Sequence, residues 1–208
     1  HLVEEKRPGE YFPVVEDEHG THIFNSKDMN MVSYIPELIA AGIDSFKIEG
    51  RVKSSYYTAA ITNAYRLAVD SYIENPDEWK RDGFWLTEVN KVSHRHYCTG
   101  FYFGEERIQN TETSEYLRTW DVVASVVECD DEGNAVIEQK NKFVINREYE
   151  LMQPKAEPQK VVFEKMTTED GEEIESAGQA KIRVHVKLPS KAPAGAFIRQ
   201  EGSRFNAS

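Results

Sequence analysis

Hydrophobic residues change period partway along this chain, near residue 116, and that change excludes a purely helical or a purely β fold. Before it, apolar residues recur at helical spacing. Met31, Ile35, Leu38 and Ile39 fall at i, i+4, i+7 and i+8, and Ile61, Ala64, Tyr65, Ala68 and Tyr72 make a second stripe. After it come seven short apolar runs separated by turn residues: Val122–Val127, Ala135–Gln139, Phe143–Ile145, Tyr149–Met152, Val161–Phe163, Ile182–Val186 and Ala196–Arg199. Asp130-Asp131-Glu132-Gly133 reads as a hairpin turn between the first two. The series predicts a small closed antiparallel β-barrel.

The first part divides further. Tyr11–Val15 and Thr21–Phe24 flank the turn-rich Asp17-Glu18-His19-Gly20, the pattern of a β-hairpin. Pro36 suits the first turn of the helix that follows, and Gly42 stops it. Ile43–Arg51 then reads as a short strand, and Ser54-Ser55 caps a long helix ended by Asn75-Pro76. Helix, strand and helix with short connections are the parts of a parallel α/β unit. Trp79, Phe84 and Trp85 predict a packed helical connector, His94–Gly104 a loop with aromatic anchors, and Asn110–Ser114 a linker. The residues from Gly202 onward read as a frayed polar tail.

Phe46-Lys47-Ile48-Glu49-Gly50-Arg51 is the most informative stretch for chemistry. Side chains alternate along a strand, so Phe46 and Ile48 share one face, while Lys47 and Glu49 share the other with Arg51 just beyond. A buried parallel strand is normally apolar on both sides. Charges at its C-terminal end mark the place where α/β barrels build active sites. Lys47 and Arg51 suit an anionic substrate, and Glu49 can orient them or move a proton. A structural ion-pair ladder, or a surface strand, accounts for the same pattern.

Asn25-Ser26-Lys27-Asp28, between a strand and a helix, can bind a ligand or cap the helix. His94, Arg95 and His96 form either a phosphate-contacting loop or a set of solvated side chains. No phosphate loop, nucleophile elbow or zinc-protease helix occurs. Cys98 and Cys129 share no spacing motif and read as reduced thiols, with no metal site expected. The balance of 25 Lys and Arg against 36 Asp and Glu gives a net charge of -11, which disfavours wholesale coating by nucleic acid. With no apolar run long enough to span a bilayer and no signal peptide, a cytoplasmic location is expected. The start at His1-Leu2-Val3 looks like the middle of a longer polypeptide.

Taken together, Phe24–Met29, Ile35–Arg51 and Tyr56-Tyr57 resemble the collagenase-like peptidase family, U32. Val92–Arg95, Thr99–Gly104 and Gly133–Phe143 look like its later segments, so the resemblance covers nearly the whole chain. It implies an α+β architecture. The last βα units of an incomplete (β/α) barrel would occupy residues 1–85, a connector 86–116, a C-terminal β-barrel 117–200 and a tail 201–208. The family carries no agreed catalytic residues. Its branch closest to this chain hydroxylates the wobble uridine of transfer RNA, using prephenate and a four-iron four-sulfur cluster. Cluster cysteines lie mostly upstream of this segment, and where some relatives place one after Ser-Lys-Asp, Met29 and Asn30 stand here.

The resemblance therefore implies a hydroxylase acting on transfer RNA, with Lys47, Glu49 and Arg51 as catalytic candidates. Asn25, Ser26, Lys27, Asp28, His94 and Arg95 are the substrate-binding candidates. Proteolysis, the historic label of the family, is one alternative, and a non-catalytic β-barrel binding module is another. No cofactor is expected within residues 1–208 themselves. Transfer RNA is the expected partner of the intact protein, and an unpaired sheet edge makes self-association or a protein partner a further expectation.

Overall fold

A computed structural model describes residues 1–3, 5, 8, 9, 11, 14–18, 20–23, 26–104 and 116–202 of the chain. The expected linker Asn110–Ser114, the tail from Ser203, and Phe12, Pro13, Phe24 and Asn25 lie outside the described residues. Strands β1 (Val14–Asp17) and β2 (Gly20–Ile23) form the expected hairpin. Strand β3 (Asp28–Met29) leads to a 3₁₀ turn at Val32–Tyr34 that runs directly into α1 (Ile35–Ala40). Gly42, at φ 78°, ends α1: its N–H donates to the Ile39 carbonyl, and the Ile43 N–H reaches back to Leu38. These paired bonds make a Schellman motif, which needs the left-handed conformation that glycine adopts at little cost.

Helix α2 (Ser55–Glu74) starts where Ser54 Oγ accepts the N–H of Tyr57. Its buried stripe holds Tyr56, Ala60, Ile61, Ala64, Ala68 and Val69. Alanine at every fourth position keeps that face flat enough for close packing against the 3₁₀ turn and α3 (Phe84–Val89). Trp79 and Trp85 stack there with centroids 5.4 Å apart, and the Trp79 indole donates to the Ala68 carbonyl. Strand β4 (Tyr97–Cys98) then pairs in parallel with β3, Asp28 opposite Tyr97 and Met29 opposite Cys98. The segment His94–Gly104 is thus not a loop throughout. Two of its residues are strand, because the carbonyls of His96 and Cys98 accept the N–H groups of Asp28 and Asn30.

The second lobe is all β: β5 (Trp120–Cys129), β6 (Asn134–Gln139), β7 (Phe143–Val144), β8 (Glu148–Met152), β9 (Gln159–Val162), β10 (Met166–Thr168), β11 (Glu173–Ile174), β12 (Ser176–Ala177), β13 (Arg183–Lys187) and β14 (Phe197–Glu201). Eight of these make one curled antiparallel sheet in the order β11-β10-β13-β6-β5-β14-β8-β9. The expected closed barrel is corrected on this point, since the ladder ends at β9 and β11. The short β7–β12 pair spans the seam, where Asn146 N–H donates to Phe163 and Ile145 N–H to Glu175. The core inside the curl joins Phe143, Tyr149 and Phe163 with Ile137, Leu151, Val184 and Ile198.

In the first lobe the expected strand Ile43–Arg51 is another correction. Residues 43–50 run in neither helix nor ladder, without a strand partner among the described residues. A strand exists only through its neighbours' N–H and C=O groups, and here none lies alongside. The lobes meet where Met152 and Phe197, from the outer face of the sheet, join the apolar cluster of α2 and α3. Asn63 on α2 ties the same contact, accepting from Lys155 N–H and donating to the Ala156 carbonyl.

Candidate functional site

Residues 43–50 form one wall of a cavity of about 460 Å³ in the first lobe. The alternation read from the sequence holds in this extended stretch. Phe46 and Ile48 are half-buried against the apolar cluster, whereas Lys47 and Glu49 are exposed at the cavity rim. Glu49 Oε1 accepts the backbone N–H of Arg51, so a local turn orients this carboxylate. Arg51 itself is exposed and does not line the cavity. The turn that follows, closed by Lys53 N–H on the Gly50 carbonyl, delivers Lys53 instead.

Opposite this wall stand Tyr57 and Tyr65 from α2 and Tyr97 from β4. Tyr65 Oη accepts from Met31 N–H and donates to Asn30 Oδ1, and Tyr97 donates to the Val89 carbonyl at 2.7 Å. Burial raises all three phenols above their ordinary range. Nearby Asp28 adds to the effect at Tyr57 and Tyr97. They are therefore neutral at physiological pH. Two ammonium groups (Lys47 and Lys53), two carboxylates (Asp28 and Glu49) and neutral phenols around this space suit a small polar or planar guest.

The described residues of the polar quartet do not cap the helix, which corrects that half of the expectation. Asp28 lies in β3, lines the cavity and accepts the Arg95 N–H at 3.0 Å. Ser26 is exposed, its carbonyl accepting from Arg95 Nη1, and Lys27 is half-buried away from the cavity lining. Asn25 lies outside the described residues. None of the described three caps the helix; Asn30 Oδ1 does the local work by accepting Val32 N–H.

His94 is neither solvated nor placed to touch phosphate, which corrects that reading. It is 4% exposed, stacks on Tyr97 at 4.1 Å and bridges to Leu117 through both backbone groups. Its Nδ1 lies 2.6 Å from the Arg95 carbonyl, a pure acceptor, so Nδ1 carries the proton. Burial holds the imidazole below its usual value and so favours the neutral form. Arg95 keeps its guanidinium over the exposed ring of Tyr116 at 5.1 Å.

A second constellation, at the lobe contact, is absent from the candidates that the sequence suggests. Arg199 is fully buried, and its Nη2 donates to both Glu88 oxygens at 2.8 and 2.6 Å and to Glu150 at 2.7 Å. Lys91 Nζ bonds both oxygens of Glu150 and pairs with Glu88 at 3.0 Å. Tyr56 donates to the Lys91 carbonyl and accepts from Arg199 Nη1. Two cations and two anions close a neutral, hydrogen-bonded set, the condition for tolerating charge in an interior. With every member paired, it is built to hold the lobes together and leaves no group free for chemistry.

Among the described residues no group of three or more His, Cys, Asp or Glu is placed to hold a metal ion. Cys98 is buried in β4 and Cys129 ends β5 in the other lobe. Two thiols in separate lobes do not by themselves supply the four cysteines of a cluster site. Among the same residues no helix is long and apolar enough to cross a membrane.

Comparison with known proteins matches residues 1–112 to the model for peptidase family U32 and residues 118–199 to that for the peptidase family U32 C-terminal domain. The chain is 32% identical to tRNA hydroxylation protein P1 of Bacillus subtilis, over 84% of this chain and 42% of that protein. It is 35% identical to tRNA hydroxylation protein P of Escherichia coli, over 74% and 34% respectively. A protein named collagenase from Porphyromonas gingivalis is 27% identical over 43% of the chain and 25% of its own length. The chain thus spans less than half the length of these relatives. A solved C-terminal domain of a Geobacillus thermoleovorans U32 peptidase is 27% identical, covering 38% of this chain and 99% of that domain with a TM-score of 0.37.

Proposed function

Because the chain belongs to peptidase family U32, we propose that it is the C-terminal part of a protein whose intact form hydroxylates the wobble uridine of transfer RNA. The observation that carries this reading is the reach of the likeness. Relatives named tRNA hydroxylation proteins match 74–90% of the chain, and the family's two models match the residues of the cavity (1–112) and most of the curled sheet (118–199). In this reading residues 43–50 are the last strand of a (β/α) barrel, paired in the intact protein by strands that these residues do not include. Lys47, Glu49 and Lys53 then face the mouth of that barrel, where such folds place their chemistry. Lys47 and Lys53 hold an anionic group, Glu49 handles a proton, and the neutral phenols of Tyr57 and Tyr97 bound the pocket. Prephenate as co-substrate and a four-iron four-sulfur cluster belong to this proposal for the intact protein, with cluster ligands drawn from outside the residues described.

Mass spectrometry of transfer-RNA nucleosides tests it. Deleting the gene removes 5-hydroxyuridine derivatives, and complementation with the intact protein carrying Glu49→Gln or Lys47→Ala fails to restore them. Unchanged derivatives in the deletion strain refute the reading. Relatives named protease and collagenase support a second reading, peptide hydrolysis at the same cavity. Cleavage of a peptide by the intact protein, lost on Glu49→Gln, would favour it.

A further inference from the structure

A groove of about 580 Å³ runs between the two lobes, beside the cavity. Lys53, Arg118 and Lys140 line it, and none of its lining residues is a carboxylate. In a chain of net charge -11, a groove with three cations and no acid is a local inversion of the surface. Arg118 and Lys140 each pair with an acid outside the lining, Asp121 and Glu138. Lys53 has no carboxylate partner among the described residues. Its ammonium sits over two rings instead, Tyr116 at 4.5 Å and Tyr57 at 5.2 Å. Tyr116 is 47% exposed, and the Arg95 guanidinium also lies over its ring at 5.1 Å, a second cation beside the same aromatic surface.

We propose that this groove seats a single-stranded stretch of RNA, with phosphates on Lys53, Arg118 and Lys140 and a base stacked on Tyr116. This rests on the transfer-RNA reading and adds the surface that grips the substrate. Three arguments favour RNA over an acidic peptide. Cations alternate with aromatic rings, as in sites that track a backbone and stack its bases. The lining couples cation to ring directly, which pre-orients both. Lys53 and Tyr57 also line the cavity, so one wall serves both spaces. A strand lying in the groove therefore brings a neighbouring base to the cavity mouth. A peptide has no planar rings at regular spacing to use that geometry.

Fluorescence anisotropy of the 208-residue chain with a labelled, unstructured oligouridylate tests the proposal. Binding should weaken with salt, and three phosphate contacts at ~0.7 each contribute about 2 to the slope of log K against log salt. The triple variant K53A/R118A/K140A should lose that contribution. Tyr116→Ala should weaken binding about 5- to 150-fold at unchanged slope, the effect of losing one stacked base. Lys191→Ala, in the distant connection between β13 and β14, should change neither, and circular dichroism confirms that each variant folds. Absence of RNA binding overturns the groove assignment, as does binding that the groove variants leave intact. Equal displacement of RNA by polyaspartate overturns it too, since the groove is then an anion surface only. None of these outcomes touches the nucleoside analysis of the intact protein, so the two claims fail separately.

Discussion

Replacing Arg199 by Met tests whether the buried charge network orders the lobes. The guanidinium makes four hydrogen bonds to Glu88 and Glu150, between 2.6 and 3.0 Å, and one more to Tyr56 at 3.1 Å. At ~1.5–3 kcal/mol for each bond to a charged group, the carboxylate bonds alone would sum to ~6–12 kcal/mol. That sum is too large, because the partners relax once the arginine is gone. Glu150 keeps 21% of its side chain exposed and can turn to water, while Lys91 still neutralises one carboxylate. Glu88, at 5%, cannot escape. Lys91, 3.0 Å from Glu88, is then one cation shared by two carboxylates, so the lesion is a half-compensated buried charge whose upper bound is about 3–5 kcal/mol.

For a chain of this size that bound corresponds to a fall in melting temperature of about 6–20 °C. The diagnostic measurement is the double variant R199M/E88Q, which removes the half-compensated charge and leaves the Lys91–Glu150 pair intact. Urea unfolding followed by tryptophan fluorescence should show the double variant more stable than R199M alone, despite carrying an extra substitution. A single variant within ~1 kcal/mol of the parent refutes the network's role. A double variant no better than the single one refutes the assignment of the cost to Glu88.

Gly133 sits at φ 86° with the Leu188 carbonyl oxygen 2.5 Å from where a Cβ would lie. Gly133→Ala should therefore cost more than the ~1–2 kcal/mol of the left-handed conformation alone. Gly42→Ala, at φ 78° with open space around it, should cost only that amount, and equal costs in urea unfolding would refute the close-approach argument. Burial pushes the Glu150 carboxyl up, but hydrogen bonding and charge from Lys91 and Arg199 outweigh it and leave it below its ordinary 4.5. The unfolded chain then binds the extra proton, so this stabilisation is complete above about pH 4.5 and is lost as pH falls through the folded value. The Glu150→Gln variant should show a flatter fall of the urea midpoint in that acid window; an identical fall would refute the linkage.

Local signals reached the structure where the physics is local. Ser54 caps α2, Gly42 closes α1 and the Asp130–Gly133 turn joins β5 to β6, because each depends on residues within about four positions. Parallel pairing of β3 with β4 was not legible, since its partners stand 69 residues apart and the strands are two residues long. Strands β10, β11 and β12 escaped for a similar reason: Met166–Thr168, Glu173-Ile174 and Ser176-Ala177 are too short and polar to alternate visibly. The charge network left one trace that could have been followed. Glu88 falls three residues after buried Trp85 and Lys91 three after Glu88, a charged pair within an apolar face. Its partners on β8 and β14 come only from the tertiary fold.

That hidden network stands directly behind the groove, which explains why charge occupies a place where apolar residues would pack. Tyr56 and Trp120 line the groove on one side and meet the network on the other. Arg199 and Tyr56 are hydrogen-bonded, and the Lys91 ammonium and the Arg199 guanidinium lie over the Trp120 ring at 4.3 and 5.2 Å. An apolar interface would hold the lobes with similar strength but would let them slide, because dispersion has no preferred register. Directional bonds from one guanidinium to α2, α3 and β8 admit a single arrangement, with Tyr56, Glu88 and Glu150 as its fixed points. That arrangement lies directly behind the Tyr56 and Trp120 wall of the groove. Cations on the first lobe (Lys53) and the second (Lys140) can serve one phosphate backbone only if their spacing is constant, and a buried, fully paired set of four charges is what keeps it so.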